Sequence, residues 1–149
     1  MLRFVRGSFL FVLFFLAFGA LAEDFITTIG EVKAKGGQKL SKGDLDALIP
    51  GTSMGSETEK VTRTWLHEKG GKLVGSFNPK PGAGNQNIKN TTGLGAWKVS
   101  DDGRLCVEIE WPRSSEKWCR LVYKVGSGYV GFGNDTEDDA KGHRFTLRK

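Results

Sequence analysis

Two cysteines, two histidines and a few arginines are the side chains of this 149-residue chain with the most chemistry to offer. Cys106 and Cys119 stand close together, whereas His67 and His143 are far apart and no Cys-x-x-Cys spacing occurs, so a metal site lacks ligands. A pairing in which residue numbers sum to 225 sets Cys106 opposite Cys119 and centres a tight turn on Pro112-Arg113. That register also sets Glu108 against Lys117 and Val107 against Trp118, so charge, apolar and sulfur pairs agree. Directly opposed residues in a non-hydrogen-bonded pair lie about 4.5 Å apart at Cα, within disulfide range. A bridge closing so short a loop stabilises by about 3 kcal/mol in the chain-entropy picture and leaves no thiolate nucleophile.

Alternation along this hairpin assigns its faces. Leu105, Val107, Ile109, Trp111, Trp118 and Val122 share the side that should be core, and Cys106, Cys119, Glu108 and Lys117 share the outer side. Arg120 breaks the scheme, because it falls on the apolar face opposite Leu105. A guanidinium placed there must reach a carboxylate, a carbonyl, solvent or a bound anion. Arg120 and Arg63, with Trp65, Trp97 and Trp118, are therefore the candidates for orienting an acidic head group inside an aromatic-lined cavity. Ordinary core packing is the competing use of those tryptophans.

Catalytic signatures are missing. There is no Gly-x-Ser-x-Gly elbow, His-Glu-x-x-His or phosphate-cradling Gly-x-x-x-x-Gly-Lys, and Gly82-Ala83-Gly84 is only a fragment of a dinucleotide fingerprint. The acidic run from Asn134 to Asp139 lacks the glycine and the twelfth-position acid of a calcium loop. No catalytic residue, cofactor or metal is assigned, and a non-enzymatic role is expected.

The elements around these residues follow from patterning. Arg3 and Arg6, the apolar run Phe9 to Phe18 and Ala20-Leu21-Ala22 have the order of a secretory signal, predicting a tag over residues 1–22 that is removed before Glu23. The apolar stretch is shorter than the roughly 20 residues a membrane helix needs. Membrane contact is thus expected only through the cleaved tag, and the location is periplasmic or secreted, where a disulfide persists. Losing Arg3 and Arg6 lowers the net charge from +5 to +3, with Lys and Glu interspersed, which excludes the dense basic stripe of a nucleic-acid reader. Residues 23–40 form a polar lead-in with one short strand around Phe25 to Val32, and residues 41–149 form a single domain. Ser41 and Asp44 make a capping box for a helix whose apolar face is Leu45, Leu48 and Ile49, ended by Pro50-Gly51.

Beyond Gly55 the period becomes two, with Lys69-Gly70-Gly71, Asp101-Asp102-Gly103 and Gly126-Ser127-Gly128 as turns between sequence neighbours. Strands are expected near 60–67, 72–77, 94–99, 103–111, 116–125, 128–133 and 142–148. The fold class is mainly all-β: an antiparallel meander of about seven strands forming a small barrel or curled sheet, with one short N-terminal helix. The stretch Asn78 to Thr92 interrupts the rhythm and reads as a long loop.

The run Gly95-Ala96-Trp97-Lys98-Val99, then Asp102-Gly103-Arg104-Leu105-Cys106, then Trp118-Cys119-Arg120-Leu121-Val122-Tyr123 is similar to a family of small exported proteobacterial proteins, the domain of unknown function nine-nine-five. The resemblance covers about residues 41–133 and implies an exported fold without an established activity. Ser127-Gly128-Tyr129 and Lys141-Gly142 are also similar to segments of the barrel-shaped periplasmic inhibitors of lysozyme, in which a Ser-Gly-x-x-Tyr loop and a later Lys-Gly segment enter the enzyme's cleft. Here the two residues between Gly and Tyr are missing. Two functions follow as expectations. One is a binding protein for a small apolar or acidic ligand held in the barrel. The other is a protein inhibitor or envelope interaction module whose partner is an envelope protein, working through loops that carry Asn85, Asn87, Ser127, Tyr129, Asp135 and Asp138.

Overall fold

A computed structural model describes residues 26–82 and 89–149. The expected signal segment and the loop positions Asn85 and Asn87 lie outside the described residues.

Eight antiparallel strands close into a barrel. They are β3 (Thr52–Glu57), β4 (Val61–His67), β5 (Lys72–Pro79), β6 (Thr91–Val99), β7 (Leu105–Trp111), β8 (Ser114–Val125), β9 (Gly128–Phe132) and β10 (Lys141–Arg148). Each pairs with its sequence neighbour, and β10 returns to β3 through Thr146↔Gly55 and Arg148↔Ser53. The meander thus closes, which removes the exposed edges of an open sheet. Positive φ at Gly70, Gly71, Gly103 and Gly126 makes the predicted turns possible. The strand β3 escapes a reading by hydrophobic alternation because, of its six residues, only Met54 is strongly apolar.

Two further strands precede the barrel: β1 (Ile26–Thr28) on β10 and β2 (Gln38–Lys39) on β8. Between them α1 (Ile29–Ala34) replaces the second half of the strand expected around Phe25 to Val32. Thr28 and Glu31 form a capping box there, each side chain bonding the other's backbone N–H, so the extended chain turns helical at Ile29. Ile29 and Val32 are fully buried against Leu121, Tyr123, Val130 and Phe132 on the outer face of β8 and β9. The polar lead-in therefore supplies a second small core.

The predicted helix is α2 (Lys42–Leu48), capped by Ser41 and Asp44 as expected. It seats Leu45 and Ile49, both fully buried, in the main core with Leu73, Leu105, Val107 and Ile109. Burying each of these side chains is worth about 1.5–3 kcal/mol, which fastens α2 as a plug on one end of the barrel.

The β7–β8 hairpin has the expected register throughout, from Leu105↔Arg120 to Trp111↔Ser114, with Pro112 and Arg113 as its two turn residues. Cys106 and Cys119 are bridged, 4.0 Å apart at Cα. Glu108 and Lys117 are joined at 2.9 Å on the same outer side. On the inner side space comes from glycine. Gly75 and Gly93 face the Trp111 indole, where an added Cβ would come within 2.7 and 2.8 Å of ring carbons, so Trp111 fills the volume that they vacate.

Candidate functional site

Between β3, β4, β8 and β10 the barrel holds a partly open cavity of about 290 Å³. The period of two in β8 points Glu116, Trp118, Arg120 and Val122 into it, and β4 contributes Arg63 and Trp65. Four of the five ligand-site candidates, Arg63, Trp65, Trp118 and Arg120, thus converge on one space. Trp97 does not. Its indole packs on His67 at the α2 end, with Nε1 donating to the Glu68 carbonyl at 2.9 Å.

Gly131 makes room for Arg120. A Cβ at that position would lie 3.0 Å from the Arg120 Cδ, so the glycine in β9 lets the arginine stem cross the barrel's inner face without being pushed aside. The guanidinium then lies 4.6 Å from the centre of the Trp118 ring, a cation–π arrangement. Among the described residues Arg120 makes no hydrogen bond or ion pair. Burial lowers its pKa and Glu116 opposes the shift, yet a guanidinium keeps its proton in a protein. His143, from β10, lines the same cavity and is held below the ordinary imidazole value first by burial and then by Arg120. Trp65 is 6% exposed, and its indole N–H is buried without an acceptor. The interior is therefore apolar in body and rich in hydrogen-bond donors.

Arg63 sits at the cavity's other limit. It pairs with Phe77 across β4 and β5 and lies 5.2 Å over that ring. Its Nη1 is 3.7 Å from the Glu116 carboxylate. Glu116 carries no motif that marks it in the sequence. Extending the 225 register one step beyond Glu108 and Lys117 places it opposite Ile109, on the inner face, and that is its position.

The loop candidates are used differently. Gly126 and Ser127 form a two-residue turn, and Tyr129 turns inward to stack on Phe145 at 5.7 Å. The Asp135 carboxylate accepts hydrogen bonds from Tyr123 Oη at 2.7 Å and Lys39 Nζ at 2.9 Å. Asp138 pairs with Lys33 of α1 at 2.9 Å, while its carbonyl accepts from Gly30 N. The acidic segment thus clamps the N-terminal elements to the barrel. The expected loop from Asn78 to Thr92 is shortened at both ends, because β5 runs to Pro79 and β6 starts at Thr91.

Among the described residues no three His, Cys, Asp or Glu side chains are grouped to hold a metal ion, and no helix is long and apolar enough to cross a membrane. The disulfide is consistent with an oxidising, exported location. No curated protein and no solved structure matches the chain significantly. The family described as protein of unknown function (DUF995) matches residues 50–119, a span from the start of β3 through the second cysteine of the hairpin. The match takes in β3 to β7 and the first part of β8, up to the disulfide.

Proposed function

We propose that this protein is an exported, non-catalytic binding protein that holds a small ligand with an apolar body and an acidic head group inside the barrel. The observation that carries the reading is Arg120. A charged guanidinium stands in an aromatic-lined cavity of about 290 Å³ with no hydrogen-bonding partner among the described residues. An anion there would supply the partner that its surroundings lack, at the strength of a charge-assisted bond. Trp65 adds a buried donor without an acceptor, and Trp118 supplies a face for an apolar or aromatic body. The cavity sits near the lower bound of about 300 Å³ for ligand pockets, which points to a compact ligand. Less supports an inhibitor reading, since Ser127, Tyr129, Asp135 and Asp138 are engaged in turns and packing.

Anilinonaphthalene sulfonate, an anionic aromatic dye, tests the reading by titration against the mature protein. The expected result is one saturable site, quenched tryptophan emission and displacement by octanoate, with at least tenfold weaker binding in Arg120→Met. Absence of saturable binding, or equal binding by Arg120→Met, would overturn it.

A further inference from the structure

Outside the cavity, at the barrel mouth formed by the ends of β5, β6 and β7 and the start of β8, lies a cleft of about 510 Å³. Its walls are Phe77 and Trp111, and its cations are Arg63, Lys89 and Arg113. Among the described residues Glu116 is the single carboxylate on its lining. Arg63 and Glu116 line both the cleft and the inner cavity, so their 3.7 Å ion pair stands on the boundary between the two spaces.

That boundary is easily opened. Both side chains are substantially exposed, at 41% and 31%, and an ion pair of this kind is worth about 0–1 kcal/mol. Arg63 is steadied independently by the Phe77 ring, so it keeps its place when Glu116 moves away. Trp111 offers the cleft an indole whose N–H is buried without an acceptor. Cations thus stand at both ends of a path walled by aromatic rings: Arg120 deep inside, and Arg63, Lys89 and Arg113 outside.

We propose that the cavity and the cleft are two compartments of one site for an elongated ligand with an acidic group at each end, one anion on Arg120 and the other displacing Glu116 from Arg63. The inference rests on the binding reading above and adds the ligand's length and its second charge.

Two probes of equal chain length, dodecanedioate and dodecanoate, are compared with octanoate as a short reference by calorimetry on the mature protein. Dodecanedioate should bind at least tenfold more tightly than dodecanoate. Arg63→Met should erase that advantage, bringing dodecanedioate within threefold of dodecanoate in the same variant, whereas Arg120→Met should weaken all three acids. Glu116→Gln, which frees Arg63 without removing a hydrogen-bonding side chain, should increase dodecanedioate affinity severalfold. Equal affinity for the two long acids with octanoate still bound would overturn the two-compartment proposal and leave the single-cavity reading standing. Failure of all three acids to bind would overturn both. Circular dichroism of each variant separates lost binding from lost folding.

Discussion

His67 stands edge-on to Trp97, with ring centroids 5.6 Å apart and planes at 81°. Its side chain is fully buried, and Nδ1 lies 3.3 Å from the Thr52 carbonyl. A buried imidazole of this kind resists protonation, and its pKa falls from 6.5 to about 4, chiefly through desolvation. The unfolded chain therefore takes up a proton first as the pH falls.

The sign of the pH effect follows. Between pH 6.5 and 4 the unfolded state binds more protons, so stability rises with pH in that window and is lost on acidification. The full effect of His67 is about 3 kcal/mol, from 1.36 kcal/mol per pH unit. Urea unfolding at pH 7.5, 6.0 and 5.0 should show a steady decline. His143, whose pKa is also lowered by burial, contributes in the same direction. His67→Gln should lower stability at pH 7.5 yet flatten most of the decline. An unchanged slope in that variant would place the acid sensitivity elsewhere.

Reduction of the hairpin bridge gives a second prediction. Cys106 and Cys119 are held opposite each other by a ladder that also pairs Glu108 with Lys117 and Val107 with Trp118. Removing the sulfurs leaves those pairs in place, so the register survives. The Cys106→Ala, Cys119→Ala variant should unfold at lower urea, losing about 3 kcal/mol, with an unchanged far-ultraviolet circular dichroism spectrum. The same loss should follow treatment of the native protein with dithiothreitol.

Why this hairpin was legible, and other parts were not, is a matter of redundancy. Sulfur, charge and apolar pairs all specify one register between β7 and β8, and the inward turn of Arg120 follows from it. The capping box of α2 was similarly explicit, because Ser41 and Asp44 precede an apolar face. Thr28 and Glu31 carry the same signal for α1. It is hidden by a flanking run of β-branched residues that reads as strand, and the buried stripe holds only Ile29 and Val32. For β3, Thr52, Ser53, Gly55 and Ser56 mask the alternation, and closure with β10 fixes the strand instead. Glu116 carries no motif, and only the hairpin register carried one step past Lys117 turns it inward. Its role rests on Arg63, which is distant in sequence and near only in the folded barrel.

Glycine in the wall supports a third prediction. A Cβ at Gly75 would strike Ile109 Cδ1 and lie 2.7 Å from Trp111 Cη2, whereas one at Gly95 would strike the Glu108 carbonyl oxygen of the neighbouring strand. The first obstacle is a side-chain end and the second is backbone. Gly75→Ala should therefore cost about 1–3 kcal/mol by overpacking and red-shift tryptophan emission as the Trp111 indole moves toward solvent. Gly95→Ala should be the more damaging of the two, with the larger drop in melting temperature. Equal small effects would mean that the barrel wall yields more readily than its packing implies.

A fourth prediction concerns the clamp made by Lys39, Tyr123 and Asp135. The carboxylate accepts from both partners, at 2.9 and 2.7 Å, and ties the segment after β9 to β2 and β8. Burial raises the Tyr123 pKa from 10.0 to about 12, with the hydrogen bond to Asp135 and its negative charge adding to the shift. Asp135→Asn removes the charge while keeping a carbonyl that can accept one hydrogen bond. Tyr123 should then ionise at lower pH, measured as phenolate absorbance at alkaline pH, but still above 10.0 because burial remains. Stability should fall by about 1–2 kcal/mol at neutral pH as a charge-assisted bond becomes an ordinary one. Lys39→Met, which leaves the Tyr123–Asp135 bond intact, should cost less and leave the phenol titration nearly where it was. If Asp135→Asn leaves the Tyr123 titration unchanged, the carboxylate does not hold that phenol, and α1 with its flanking strands is fastened by the apolar contacts of Ile29 and Val32, the bonds of Asp138 and the strand pairing of β1 and β2.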